Sequence, residues 1–127
     1  MFKINTTYKK LLADTTTPVS IYLRLRDVYP NSILLESSDY HSRENSMSFV
    51  CAEPVSGIIL KGTRLETYFP DGAVEITESE NLIEEISAFK DKFKASELPD
   101  IKFISSGLFG YFTWNAVQHF EDIKFSS

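Results

Sequence analysis

With 127 residues, the chain is long enough for one domain that buries roughly 65% of its unfolded surface. Its hydrophobic content of 43%, charged content of 24% and many aromatic side chains (ten Phe, six Tyr, one Trp) exclude a disordered segment. A formal charge of -5, with no basic cluster denser than Lys90, Lys92 and Lys94, argues against a nucleic-acid or anionic-membrane partner.

A single cysteine, Cys51, rules out a disulfide framework and suits a reducing compartment, so the cytoplasm is the expected location. The apolar stretches are short, and Met1-Phe2-Lys3-Ile4-Asn5 has no signal-peptide core, so neither a membrane span nor export is expected. No repeat or linker divides the sequence, and residues 1–127 are expected to form one domain.

In chain order, Thr17-Pro18 opens a first helix, with Thr as N-cap, Pro at the first helical position and Val19, Tyr22, Leu23 and Arg26 at helical spacing before Pro30. Ser32 to Ser37 follows as a strand apolar on both faces. The polar stretch Asp39 to Asn45, with His41 inside it, is a loop, and Met47 to Ala52 is a second strand ended by Glu53-Pro54. Gly57 to Lys61, Arg64 to Phe69 and Ala73 to Thr77 form a meander, turned at Gly62-Thr63 and at Pro70-Asp71-Gly72. Asn81 caps the clearest helix, in which Glu84 would complete a capping box and Leu82, Ile86, Phe89 and Phe93 share a face. Beyond Pro99, Phe103-Ile104 and Leu108 to Phe112 read as strand material, and Asn115 to Phe120 as the start of another helix. The sum is an α+β domain: a mostly antiparallel, twisted sheet of about six to eight strands with two main helices packed on it.

The segment richest in chemistry is Leu34-Leu35-Glu36-Ser37, with Ser48 eleven positions beyond Ser37. A free amino acid carries an ammonium and a carboxylate on one carbon, so a receptor for it needs an acceptor and donors close together. Glu36 supplies the acceptor, while Ser37 and Ser48 can donate. Side chains alternate along a strand, so Leu35 and Ser37 face away from Leu34 and Glu36. All of them can serve one pocket only where the strand ends, bends or bulges near Glu36. The bland alternative is a polar strand end running into the Asp39 to Asn45 loop, and spacing alone leaves both readings open. Elsewhere, His41 and His119 lack ligand-like spacing, and Cys51 has no basic neighbour in sequence.

The stretch from Leu11 to Pro54, including Ala13-Asp14-Thr15-Thr16-Thr17-Pro18-Val19, Leu34-Leu35-Glu36-Ser37 and Ser48-Phe49-Val50, resembles the N-terminal segment of anthranilate synthase component I. Gly107-Leu108-Phe109-Gly110-Tyr111-Phe112 with Ala116 to Glu121 is similar to that family's glycine-rich signature, although Ser106 and Trp114-Asn115 depart from its usual residues. The resemblance implies an N-terminal regulatory domain whose catalytic, chorismate-binding domain is not in this sequence. It places an L-tryptophan feedback site on Leu34, Leu35, Glu36, Ser37 and Ser48, to which Met47 is added as apolar surface for the indole. Leu35, Met47 and Phe49 are the candidates for the indole wall, and the same residues can equally be plain core, the reading preferred for Phe49. The implied fragment has no catalytic residue and no cofactor, magnesium belonging to the catalytic domain. The implied partners are that domain and a glutamine amidotransferase subunit. A surface left bare by the missing domain should be apolar, should expose aromatic residues near Phe103 to Trp114, and could drive self-association. Two other identities share the pattern: the corresponding part of aminodeoxychorismate synthase, and a free-standing amino-acid-binding module.

Overall fold

A computed structural model describes residues 1–37, 46–98 and 106–122. The expectations for the Asp39 to Asn45 loop, His41 and Phe103-Ile104 lie outside these residues. The chain divides into two compact units, one of residues 9–54 and one of residues 1–8 with 55–127.

In the smaller unit, helix α1 (Pro18–Leu25) starts where Thr17 and Ser20 exchange bonds: Thr17 Oγ1 accepts the Ser20 N–H at 3.1 Å, and Ser20 Oγ accepts the Thr17 N–H at 3.2 Å. This reciprocal box satisfies two N–H groups that the first helical turn cannot pair internally. The half-buried positions Pro18, Tyr22, Leu25 and Tyr29 recur at three- and four-residue spacing, whereas Val19 and Leu23 are exposed. The helix therefore packs through a face rotated from the one expected at Val19 and Leu23, and it ends at Leu25, ahead of Pro30. It contacts the antiparallel hairpin of β2 (Ile33–Glu36) and β3 (Ser48–Cys51).

The larger unit is built on an antiparallel meander of β4 (Gly57–Lys61), β5 (Arg64–Tyr68) and β6 (Val74–Glu78). Gly62 at φ 62° and Gly72 at φ 86° occupy the left-handed region that their turns demand. At the second turn the Asp71 carboxylate accepts the Ala73 N–H at 2.9 Å. Gly57 has a different reason to lack a side chain, because a β-carbon there would overlap the ring of Tyr68 on the neighbouring strand. Leu65 and Thr67 turn one face of β5 inward, while Ile59, Val74 and Ile76 on the opposite face are exposed.

Helix α2 (Leu82–Asp91) is capped by Asn81, whose side chain accepts the Glu84 N–H at 3.2 Å. The expected reciprocal half of that box is replaced: the Asn81 N–H donates to Ser79 Oγ at 3.3 Å. The helix also stops before Phe93. That residue instead opens β7 (Phe93–Ala95), a short strand pairing in parallel with β1 (Phe2–Ile4). The result is a cluster in which Phe2 stacks on Phe69 and Phe93 at centroid distances of 5.7 and 5.5 Å, and Phe89 joins Phe69 and Phe93 at 5.8 and 5.2 Å. Lys92 covers this cluster, its Nζ 4.5 Å from the Phe69 ring centroid and 3.5 Å from the Glu75 carboxylate.

The α+β class stands, with antiparallel pairing dominant and two main helices. The strands fall into three small sheets, of orders β1-β7, β2-β3 and β4-β5-β6. Residues 106–113, expected to supply a strand over Leu108 to Phe112, contain no regular element, and the helix expected at Asn115 to Phe120 is a 3₁₀ turn over Trp114–His119. Tyr111, Phe112 and Trp114 are strongly exposed there, at 83%, 60% and 84%.

Candidate functional site

The β2-β3 hairpin fixes where each candidate side chain stands. Its register sets Leu34 against Val50, Leu35 against Phe49 and Glu36 against Ser48, without a bulge. The ladder runs on weakly for one rung, where the Ser37 N–H donates to the Met47 carbonyl at 3.4 Å. In an antiparallel pair, rungs that exchange backbone bonds alternate with rungs that do not. The bond at Ser37 therefore makes Glu36–Ser48 a rung of the second kind, whose α-carbons stand about 4.5 Å apart and whose side chains are the closer for it.

Alternation then divides the six candidates. Leu34, Glu36 and Ser48 share one face of the hairpin, and Leu35, Ser37 and Met47 share the other. Glu36 and Ser48 are thus brought together directly, and Ser37 and Met47 form the adjoining rung at the open end. The strand ends at Glu36, which is one of the three ways in which both faces can serve a single ligand. Glu36, Ser37, Met47 and Ser48 are exposed, whereas Leu34 and Leu35 are half-buried. The indole-wall candidates Leu35, Met47 and Phe49 all belong to the face opposite Glu36.

Two other groups in this unit were not expected. Ser32 is buried just ahead of β2, and its Oγ meets no hydrogen-bond partner among the described residues. Glu53, just before Pro54, takes a left-handed backbone at φ 50°, a conformation uncommon for such a side chain. Neither has a motif that would single it out in the sequence.

Among the described residues no group of three or more His, Cys, Asp or Glu side chains could hold a metal ion. Nor is any helix among them long and apolar enough to cross a membrane.

Comparison with known proteins then gives the segment a family context. The chain is 34% identical over 113 residues to anthranilate synthase component 1 of Neisseria gonorrhoeae, and 32% identical over 110 residues to that of Pseudomonas putida. These alignments take in 89% and 87% of this chain. The chain is homologous to anthranilate synthase component 1. The protein of that name from Aquifex aeolicus is 28% identical over 118 residues, or 92% of the chain. The chain spans only 22–24% of the length of these three relatives. No family model matches it, and no solved structure does.

Proposed function

We propose that this chain is the N-terminal regulatory part of an anthranilate synthase component 1 and that it carries most of an L-tryptophan feedback site. The observation that carries the reading is the Glu36–Ser48 rung at the open end of a hairpin, in a chain homologous to that family. An exposed carboxylate beside a hydroxyl suits the ammonium of an amino acid, and Ser37 on the next rung offers a donor for its carboxylate. The ligand would lie across the strand ends, where the face of Leu34, Glu36 and Ser48 meets that of Leu35, Ser37 and Met47.

In this reading the whole protein works in the cytoplasm and converts chorismate and ammonia, supplied by a glutamine amidotransferase subunit, into anthranilate and pyruvate. Magnesium and chorismate belong to its catalytic domain, and the present residues supply regulation. Tryptophan inhibits by binding the arrangement of domains that does not turn over more tightly than the one that does. A differential of ~1–3 kcal/mol gives ~5–150-fold inhibition.

The test is calorimetric titration and thermal melting with L-tryptophan, using D-tryptophan as control. Ligand at a hundredfold excess over its dissociation constant adds about 2.7 kcal/mol, which raises the melting midpoint by several degrees. Glu36→Ala and Ser37→Phe should abolish both the heat and the shift. Equal responses to the two enantiomers, or none at millimolar L-tryptophan, would remove the reading.

A further inference from the structure

The outer edge of β6 raises a separate question, independent of any amino-acid site. Among the described residues β6 has a strand neighbour on one side only, β5, and all five of its residues are exposed. Which of its backbone groups are spent on β5 follows from the flanking bonds: Phe69 N–H to Ala73 O at 2.9 Å and Ser79 N–H to Thr63 O at 2.8 Å. Both lie on the register that pairs Leu65 with Thr77 and Thr67 with Glu75. By alternation, Glu75 and Thr77 are the residues bonded to β5, and the N–H and C=O groups of Val74, Ile76 and Glu78 point outward.

Exposed edges are usually blunted by charged side chains, Lys above all, by Pro or by a bulge, and of these β6 carries only the carboxylates of Glu75 and Glu78. Val74 to Glu78 has no Lys, Pro or bulge, and Val74 and Ile76 are 58% and 55% exposed. Its two carboxylates are already matched within the chain. Glu75 pairs with Lys92 at 3.5 Å, while Glu78 accepts the Thr63 hydroxyl and stands opposite Arg64.

We propose that β6 is a self-association edge, at which two copies of this chain pair antiparallel about a two-fold axis through Ile76. In that register Ile76 meets Ile76, Val74 meets Glu78 and Glu75 meets Thr77 of the second copy. The three outward N–H groups of each copy find the three outward carbonyls of the other, so no backbone group along the edge is left over. No two carboxylates are opposed, and the Thr77 hydroxyl can donate to the facing Glu75. Other registers lose this match: a shift by one residue sets inward-bonded groups against the edge, and a shift by two leaves overhanging donors. The contact is isologous and closes at two copies.

Sedimentation velocity from micromolar to millimolar concentration, with hydrogen exchange read residue by residue, tests this. The wild-type chain should pass from monomer to dimer, and exchange at Val74, Ile76 and Glu78 should slow by about 10-fold or more as it does, while Glu75 and Thr77 stay protected throughout. Ile76→Lys sets two ammonium groups face to face and should hold the chain monomeric. Ile76→Pro deletes only an outward N–H, a change that edge strands tolerate, and should do the same. A chain that stays monomeric at millimolar concentration, as it would if the edge belonged to another protein's extended segment, overturns the proposal. So does a dimer in which those three amides exchange as fast as in the monomer, which would assign association to another surface such as the exposed aromatic residues at 111–114.

Discussion

Cys51 shows how a single position can set the chemistry of a side chain. It stands opposite Ile33 on the hairpin face that also carries Leu35 and Phe49, and burial there pushes its thiol above the usual cysteine value. Burial disfavours the thiolate, which is the nucleophile. Native Cys51 should therefore react with iodoacetamide more slowly than the same thiol in denaturant at mildly alkaline pH. The stability consequence has a definite sign. With its folded value raised, the group's contribution is complete below the unfolded value of about 8.5 and is lost as pH rises through the folded one. Melting midpoints should be unaffected by this thiol near neutrality and should fall more steeply above about pH 8.5 than those of Cys51→Ala. Equal alkylation rates in native and denatured chain would contradict the burial argument.

Among the elements, α1 depends most on its cap, because it is eight residues long and buries no side chain fully. A helix so short is marginal by itself. Thr17→Ala removes the acceptor for the Ser20 N–H, which is one half of the box, and should cost about 1 kcal/mol, with a loss of helical circular dichroism. Thr17→Asp, which keeps a capping oxygen, should restore most of it. This cap was legible in the sequence, as were the meander and its two glycine turns, because each signal is local: a capping hydroxyl before Pro18, apolar runs separated by Gly62 and by Gly72. The β1-β7 pair was not legible. Two three-residue strands some ninety positions apart carry no periodicity of their own, and Phe93 fits the helical stripe of Leu82, Ile86 and Phe89 as well as it fits a strand. Pairing with Phe2 decides its fate. The candidate site was half legible in the same sense. The split of Leu34 and Glu36 from Leu35 and Ser37 follows from alternation along one strand, whereas the facing of Glu36 and Ser48, and with it the sides that Ser48 and Met47 take, needs the register of the second strand to be known.

At the scale of the whole chain, the two units differ in what holds them. The buried hydrophobic side chains among the described residues are Leu65, Phe69, Leu82 and Phe89, and all four belong to the larger unit. Around them the stacked rings of Phe2 and Phe93 add aromatic contacts worth roughly 0.5–1.5 kcal/mol each beyond the area they cover. In the smaller unit the apolar residues of α1, β2 and β3 are at best half-buried, and the buried Ser32 hydroxyl has no partner among the described residues to offset its desolvation. Local opening free energy follows buried contact, so native-state hydrogen exchange should rank the two. The inward amides of β5 should exchange last, only through global unfolding, and those of α1, β2 and β3 well before them. Phe89→Ala should cost about 3–5 kcal/mol and collapse that order, because the ring it removes joins Phe69 to Phe93 and so links the meander to the β1-β7 pair. If β2 and β3 proved as protected as β5, the core would have to extend into the hairpin, and the site end at Glu36 and Ser48 would be rigid where low local stability predicts that a ligand can order it.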